Sequence, residues 1–465
     1  MKAARGLVLA ALAGLAACAP VGPDYRRPEI ELPSDYPETA SATAGAVRAD
    51  WWAAFNDAAL DALIAAARER NADIRVAAAQ LEEAEAALRE VDTAFTPTVD
   101  LGFSTSESRL SALTALPNPQ PRIRIDRRLA ASTAFEIDFW GRLRRGVEAA
   151  RAQALASRYG RDTVALSLAG TVAQAYFALR ALDSQIALAR GTLDARGESL
   201  QVIRDRVAGG VAAELEAHQA EVARADAAVQ LDEFIRQRKI IEHQLAQLTG
   251  RPGQRVATGD LASLPPVPLP PPGLPSSLLA RRPDVRAAEQ SLVAVNARIG
   301  VAKAAMFPTI SLTGNLGGQS AAFSDLIATG AHIWSLGFGL ALPLFDAGRN
   351  AARVEQAEAR ARQAVASYQK AVEAAFREVA DALGNLEVTH LSAASLTLRQ
   401  GAARRALEIA RTRHAAGYSG YLEVLDAQRT ANDAELALVR NRQALLAYSV
   451  DLMKALGGGW NAGGR

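Results

Sequence analysis

The chain has 465 residues, of which 49% are hydrophobic, 22% are charged and 5% are aromatic, and its formal net charge is +2. This length allows a large buried core, and the near-neutral charge argues against a nucleic-acid-binding protein, which is usually strongly basic. The single cysteine excludes an internal disulfide and a metal site built from cysteines. The five histidines lack metal-ligand spacing, and no HExxH motif or phosphate-binding glycine loop occurs, so we expect no enzyme, metal or cofactor.

The N-terminus has the features of a secretory signal. Lys2 and Arg5 precede an apolar run that ends in the sequence LAAC. This ending resembles a bacterial lipobox, in which the cysteine, here Cys18, carries a covalent lipid. We therefore predict a signal peptide over residues 1–17. The resemblance to bacterial lipoproteins also implies export to the outer membrane, because Ala19 and not aspartate follows the cysteine. An ordinary signal peptide with an incidental cysteine is the alternative.

Four segments alternate apolar and polar residues, as a β-strand does when its two faces differ. They lie at residues 97–106, 132–140, 308–316 and 334–343. Each has about the ~9–11 residues that a tilted strand needs to cross a bilayer, and after residue 18 we find no apolar stretch long enough to cross as a helix. The intervening segments 107–131 and 317–333 are predicted to be loops that face outside the cell.

An open sheet of four strands is not tolerated in lipid, because its two edges would carry unpaired backbone groups. Several chains must therefore share a barrel if these strands cross a membrane. The polar faces carry Asp100, Glu136 and Asp138, whose need for water favours three chains and twelve strands around a lumen. A half-buried sheet in a soluble protein would show the same alternation.

Long proline-free stretches follow each strand pair. A helix over residues 141–208 would reach roughly 100 Å, and its apolar residues recur with the 3-4 spacing of a coiled coil. The turns at 208–213 and 415–421 join the long helices to returning helices. We expect four glycines to provide these chain reversals, namely Gly209, Gly210, Gly417 and Gly420.

Three blocks of the first half recur in the second half in the same order, at offsets of 211, 207 and 207 residues. This self-similarity indicates a duplicated unit. Nine of the 20 prolines lie between the halves and predict an extended linker. The predicted segments are the signal peptide (1–17), a lipid-anchored extended segment (18–57), the first repeat (58–250), the linker (251–283), the second repeat (284–456) and a glycine-rich tail (457–465).

Several blocks resemble the TolC-like outer-membrane efflux family, in its lipoprotein, NodT-like branch. Besides the lipobox, these are GPDYRRP (22–28), WWAAFND (51–57), the stretch from RPDVRAAEQ to MFPTISL (282–312), LPLFDAGR (342–349) and GYLEVLDAQRT (420–430). The resemblance implies a mainly α-helical fold with a membrane β-barrel. In this fold, a homotrimer forms a 12-stranded barrel in the outer membrane and a long coiled-coil α-helical barrel in the periplasm.

The resemblance also implies a function and partners. The trimer would be a passive conduit for small molecules such as drugs, joined through a periplasmic adaptor to an inner-membrane transporter of the RND type, with the turns named above contacting the adaptor. Two alternatives remain open at this stage. One is the outer-membrane channel of a type I protein secretion system, and the other is a periplasmic coiled-coil adaptor lipoprotein.

Two acidic residues, Glu423 and Asp426, are three positions apart on a predicted helix and so share a face. In the resembling family, acidic residues at these positions line the periplasmic constriction and favour cations, as rings of carboxylates should. A solvated helix face is the alternative. Where the best-known member has a gate-locking tyrosine and arginine, this chain has His414 and Ser419. The side chains that could replace that lock are Tyr418, Tyr421 and Arg413.

Overall fold

The computed structural model describes residues 20–30, 47–48, 50–111, 113, 123–264 and 281–460. The predicted signal peptide and Cys18 lie outside the described residues. So do residues 265–280 of the proline-rich linker and residues 461–465 of the glycine-rich tail.

The described residues form six β-strands and seven α-helices. The strands are β1 (Val47–Arg48), β2 (Thr98–Arg109), β3 (Ile123–Ile137), β4 (Thr309–Ser320), β5 (His332–Ala341) and β6 (Gly459–Trp460). The helices are α1 (Ala58–Arg70), α2 (Ala72–Asp92), α3 (Arg142–Ala208), α4 (Glu214–Leu248), α5 (Pro283–Ala304), α6 (Arg349–Ala415) and α7 (Tyr421–Ala455). The prediction of a mainly helical chain with a four-stranded sheet is confirmed.

The chain forms two compact units, and each unit draws residues from both predicted repeats. The described residues of the first unit lie within the ranges 1–29, 80–158 and 287–368. Those of the second unit lie within the ranges 30–79, 159–286 and 369–465.

The first unit contains the antiparallel sheet β2-β3-β4-β5, in which neighbours in sequence are neighbours in space. Strand β3 begins at Ile123, nine residues before the predicted start, and pairs with β2 from Ile123 to Ala134. The predicted loop 107–131 is therefore wrong over 107–109, which extend β2, and over 123–131. Arg124 and Asp126 alternate there with isoleucines, so the period of two continues through charged residues that suggested a loop. The predicted loop 317–333 is wrong over 317–320 and 332–333, which extend β4 and β5.

The long helix predicted over residues 141–208 is confirmed as α3. Helices α3 and α6 each have 67 residues, and α4 and α7 each have 35. Each helix of the second pair begins 207 residues after its counterpart in the first pair, which is the offset of two of the repeated sequence blocks.

One part of α3 is long and apolar enough, by length and composition alone, to cross a membrane. The expectation that no such stretch follows residue 18 is therefore wrong. Of this stretch, 61% is buried inside the protein, as is usual for a core helix of a folded domain, because close helix packing needs apolar side chains on several faces.

The second unit has aromatic residues and buried ion pairs in its core. The hydroxyl of Tyr176 donates to Asp57 Oδ2 at 2.6 Å, and burial together with this carboxylate raises the pKa of Tyr176 to about 12. The Asp183 side chain is 1% exposed and pairs with both Arg180 and Arg238, which satisfies its buried charge. Asp57 comes from the WWAAFND block, so this sequence motif belongs to the core of the second unit.

Candidate functional site

The sheet of the first unit has one apolar and one polar face. The register places Leu101, Leu316 and Trp334 on the same face, because Leu101 pairs with Ala131, Ala131 with Leu316, and Leu316 with Trp334. The exposed apolar side chains of this face include Val99, Leu101, Phe103, Leu316, Trp334, Leu336, Phe338 and Leu340. Trp334 and Leu336 are 77% and 80% exposed, and although Phe323 packs edge-on against Phe103, the described residues leave most of this apolar face uncovered. It is built for an apolar environment.

The opposite face of the sheet is polar. Asp100 pairs with Ser132, and Glu136 pairs with Ser311, on this face. Glu136 also accepts two hydrogen bonds from the guanidinium of Arg142, which balances its charge. Asp138, which was predicted on the same strand face, lies beyond the end of β3 and accepts hydrogen bonds from backbone N–H groups in the first turn of α3. That prediction is wrong because β3 ends at Ile137.

An extended N-terminal segment, residues 20–29, lies against α5 in the first unit, and we call it the strap. Arg27 donates from Nε and Nη2 to the two carboxylate oxygens of Glu289 at 2.7 and 2.6 Å. Tyr25 donates to the same carboxylate at 3.2 Å, and burial and then Glu289 raise the pKa of Tyr25. Sequence reasoning missed this site, because only folding brings together residues more than 260 positions apart.

The strap also contacts the residues that follow β3. The Val21 N–H donates to the Trp140 carbonyl at 2.9 Å, and Arg145 pairs with Asp24 at 2.6 Å. Gly22 has a φ of +105°, and a Cβ there would lie 2.5 Å from the Gly300 Cα. Only glycine allows this approach of the strap to α5.

Aromatic rings cluster where β3 ends and β4 begins. Trp140 stacks on Phe307 with ring centroids 4.6 Å apart and donates from its indole Nε1 to the Pro308 carbonyl at 2.8 Å. Phe139 packs edge-on against Trp140. Such rings with one polar atom are typical of the boundary between lipid and water.

The two predicted turns of the second unit have the same backbone structure. Val211 N–H donates to Arg206 and Gly210 N–H to Val207, which is a Schellman motif. Tyr418 and Gly417 make the equivalent bonds after α6. Gly210 and Gly417 have φ values of +73° and +80°, so these two glycines provide the reversals. The others do not, since Gly209 has no positive φ and Gly420, with a φ of −73°, is the N-cap of α7.

Glu423 and Asp426 lie in the first turns of α7, close to the second turn of the chain. The Glu423 carboxylate lies 3.6 Å from Arg413, and Asp426 accepts a hydrogen bond from Arg429 at 2.7 Å. All four side chains are about half exposed or more, so these pairs contribute little to stability and remain open to solvent and ions. Sequence reasoning named Arg413 only as a candidate for the lock, and it overlooked Arg429, which stands three positions after Asp426.

His414 links the two turns. Its Nδ1 lies 3.0 Å from the Ser419 carbonyl, which can only accept, so Nδ1 carries the proton and Nε2 faces Arg206 at 3.4 Å. Tyr421, a candidate for the gate lock, is 3% exposed within a core cluster, and burial raises its pKa. Its side chain is thus buried inside its own chain, whereas Tyr418 is 80% exposed.

Comparison with known proteins identifies the family. The family model described as "Outer membrane efflux protein" matches residues 63–251 and 274–458. The chain belongs to this family. This confirms the family that the sequence blocks indicated.

Relatives match over nearly the whole chain. Outer membrane protein OprJ of Pseudomonas aeruginosa is 34% identical, covering 97% of this chain and 94% of its own. The toluene efflux pump outer membrane protein TtgI of Pseudomonas putida is 33% identical and covers 98% of both chains. A crystal structure of CusC, whose Escherichia coli sequence is named a cation efflux system protein, superimposes with a TM-score of 0.85 at 31% identity and covers 95% of this chain and 100% of that one.

These findings establish what the efflux protein does and where it is located. It is the outer-membrane channel of an efflux system, and members of its family are channels rather than enzymes. The predictions of an efflux channel and of an outer-membrane location are confirmed.

Proposed function

We propose that three copies of this chain form one passive conduit, whose sheets close a 12-stranded barrel in the outer membrane. The observation that carries this proposal is the four-stranded sheet with an exposed apolar face, a polar face, and edges at β2 and β5 that no described strand pairs. In lipid, both edges must be paired, and pairing β2 of one copy with β5 of the next does this. Eight strands would leave an interior filled by side chains, whereas twelve leave room for a lumen lined by the polar face.

Two substitutions on one strand test which face meets lipid. Leu101→Arg should block stable insertion, since arginine at the middle of a lipid-facing strand costs about 2–4 kcal/mol in each copy. Ser104→Arg, on the polar face of the same strand, should be tolerated. Outer-membrane yield is the measurement, and native mass spectrometry of the extracted protein should give three copies. Equal yields of the two variants, or a monomer, would contradict the barrel.

We propose that Cys18 is lipidated and that the connections β2–β3 and β4–β5 face outside the cell. Pro20, two residues after Cys18 in the sequence, packs against Gly141, where a Cβ would lie 2.6 Å from Pro20 Cβ. This contact supports a lipid anchor near the Trp140 end of the sheet, where the aromatic rings suit a membrane boundary. Cys18→Ser should abolish palmitate labelling, and an epitope inserted at residue 119 should bind antibody on intact cells. Persistent labelling or a hidden epitope would refute these two placements separately.

We propose that Glu423 and Asp426 form rings of carboxylates at the periplasmic end of the conduit. The side chains of Glu423 and Asp426 are 47% and 65% exposed, and their arginine partners are exposed as well. Three copies around an axis would therefore present both carboxylates to the conduit, together with the arginines. The double variant Glu423→Gln, Asp426→Asn should lower cation selectivity in planar bilayers. Glu233→Gln, which breaks an exposed i,i+3 pair with Arg236 elsewhere, is the control and should change nothing. Unchanged selectivity in the double variant would place the constriction elsewhere.

We propose that the turns with Gly209, Gly210, Gly417 and Gly420 meet a periplasmic adaptor, which joins the channel to an inner-membrane transporter of the RND type. The matched turns and the matched 67- and 35-residue helices support a duplicated unit that offers two similar docking ends. Photo-crosslinkers at Ala212 and Ser419 should capture the adaptor, and one at exposed Lys239, far along α4, should not.

We propose that the cargo consists of small toxic molecules. The relatives named for toluene and for cations transport small solutes, and a wide polar lumen selects weakly among such cargo. Deleting the gene should sensitise cells to solvents, drugs or metal ions and leave protein secretion intact. Loss of a secreted protein without any such sensitivity would instead favour a secretion channel.

A further inference from the structure

A cavity of about 280 Å³ lies in the second unit between α3, α6 and α7. Its charged lining consists of Arg196, Arg404 and Arg411 against a single acid, Glu435. The cavity is several times larger than the ~30 Å³ that one water occupies in the liquid, so it can hold a small solute.

Three buried polar atoms at this cavity lack a hydrogen-bond partner among the described residues. Two are the amide atoms Nε2 and Oε1 of Gln428, which is 7% exposed, and the third is Nε of Arg196. Leaving such a group unpaired costs about 1–3 kcal/mol, so buried amides almost always have a partner. The cavity therefore offers hydrogen bonds that the chain itself does not use.

The arginines of the lining differ in how far they are neutralised. Arg404 pairs with Glu435 at 2.6 Å, and Arg196 donates through Nη1 to the Ala223 carbonyl, which carries no net charge. Arg411 forms no ion pair with any described residue and is exposed. Two guanidinium charges are thus uncompensated at a site that also holds a free amide donor.

We propose that this cavity binds a small oxyanion of the phosphate or carboxylate type. Guanidinium groups and an amide N–H donate hydrogen bonds, and both anions accept several at once, with arginine suited to each. The cavity is lined by α3 from the first half of the chain and by α6 and α7 from the second half. The bound oxyanion therefore links the two helical pairs and stabilises their packing.

The test is calorimetric titration of the purified full-length protein with inorganic phosphate and, separately, with succinate, in chloride buffer of constant ionic strength. At least one of the two should bind, and the tighter one identifies the source of the oxyanion. Arg411→Gln and Gln428→Met should each weaken binding by about tenfold or more, the loss of one charge-assisted or amide hydrogen bond. Arg399→Gln, an exposed arginine on α6 outside the lining, should bind like the natural chain.

Two results would overturn the proposal. One is that neither anion binds at concentrations up to about 10 mM. A specific site of this composition should have a dissociation constant below that concentration. The other is equal binding by all the variants, which would mean an adventitious ion only. Since Arg411 is exposed and unpaired, Arg411→Gln should fold normally, and this variant alone decides the outcome if Gln428→Met does not fold.

Discussion

Replacing Gly300 with alanine should loosen the strap from α5. An alanine Cβ at this position would lie 2.6 Å from the Val21 carbonyl oxygen and 2.8 Å from Arg145 Cγ. Carbon atoms at van der Waals contact are about 3.5–4.0 Å apart, so the strap must move by roughly 1 Å. Hydrogen bonds tolerate much less than this, since N–H···O distances cluster between about 2.7 and 3.2 Å.

The bonds at risk are the Val21 N–H to Trp140 and the ion pair of Arg145 with Asp24. Each of these interactions contributes about 1 kcal/mol net, and Asp24 is largely exposed. We therefore expect the free energy that holds the strap on the protein to fall by about 1–2 kcal/mol. This corresponds to a 5–30-fold larger population of detached strap. The rest of the fold should remain intact, because alanine is otherwise favourable within a helix.

Limited trypsin digestion measures this change. Trypsin can cut after Arg26 once the strap has left the helix surface, so the cleavage rate follows the detached population when opening is fast. Gly300→Ala should be cut 5–30-fold faster than the natural chain. Gly160→Ala is the matched control, because Gly160 is also helical and an added Cβ there meets nothing within 4 Å. Equal cleavage of the two variants would refute the reasoning.

Three further predictions concern the second unit. Burial raises the pKa of Asp451, so its charge is unfavourable at neutral pH, and Asp451→Asn should raise the Tm at pH 7.5, with a gain that shrinks as the pH falls towards about 4. Gly417→Ala should destabilise by about 1–2 kcal/mol in denaturant titrations because of its positive φ, whereas Gly384→Ala, which meets nothing within 4 Å, should not. Ile203→Ala should cost about 2–5 kcal/mol in the same assay, because Ile203 is 2% exposed, whereas the adjacent and exposed Val202→Ala should cost little. A reversed order within any of these comparisons would contradict the corresponding structural interpretation.

Local periodicity made most of the fold predictable. Alternation in the strands and the 3-4 spacing in the helices are properties of short stretches of sequence. They can therefore be recognised without knowing which stretches meet in the folded chain. The start of β3 was missed because Arg124 and Asp126 are charged, although the isoleucines beside them keep the strand period. The charged residues thus led to a wrong start for β3, although the alternation alone would have placed the start correctly.

The sites were less predictable, because their residues meet only in the folded chain. Glu289 receives Arg27 and Tyr25 from 262 and 264 positions away, and no local pattern records such a contact. The turns show the same limit on a smaller scale. Glycines were recognised at both turns, but only the backbone angles separate Gly417, which reverses the chain, from Gly420, which caps a helix.

The equal lengths of the paired helices restrict how such a chain can change in length during evolution or design. Near the turns, Ile203 of α3 packs in one cluster with Val424 of α7. The pair α3 and α4 and the pair α6 and α7 must therefore be equally long for this contact to form. Removing seven residues from each of the four helices would retract both turns by about 10 Å and keep every helix face aligned, because seven residues make nearly two turns. Removing three residues from one pair alone would rotate its buried face away from the other. Length variants that fold should therefore differ by heptads that are matched in both halves.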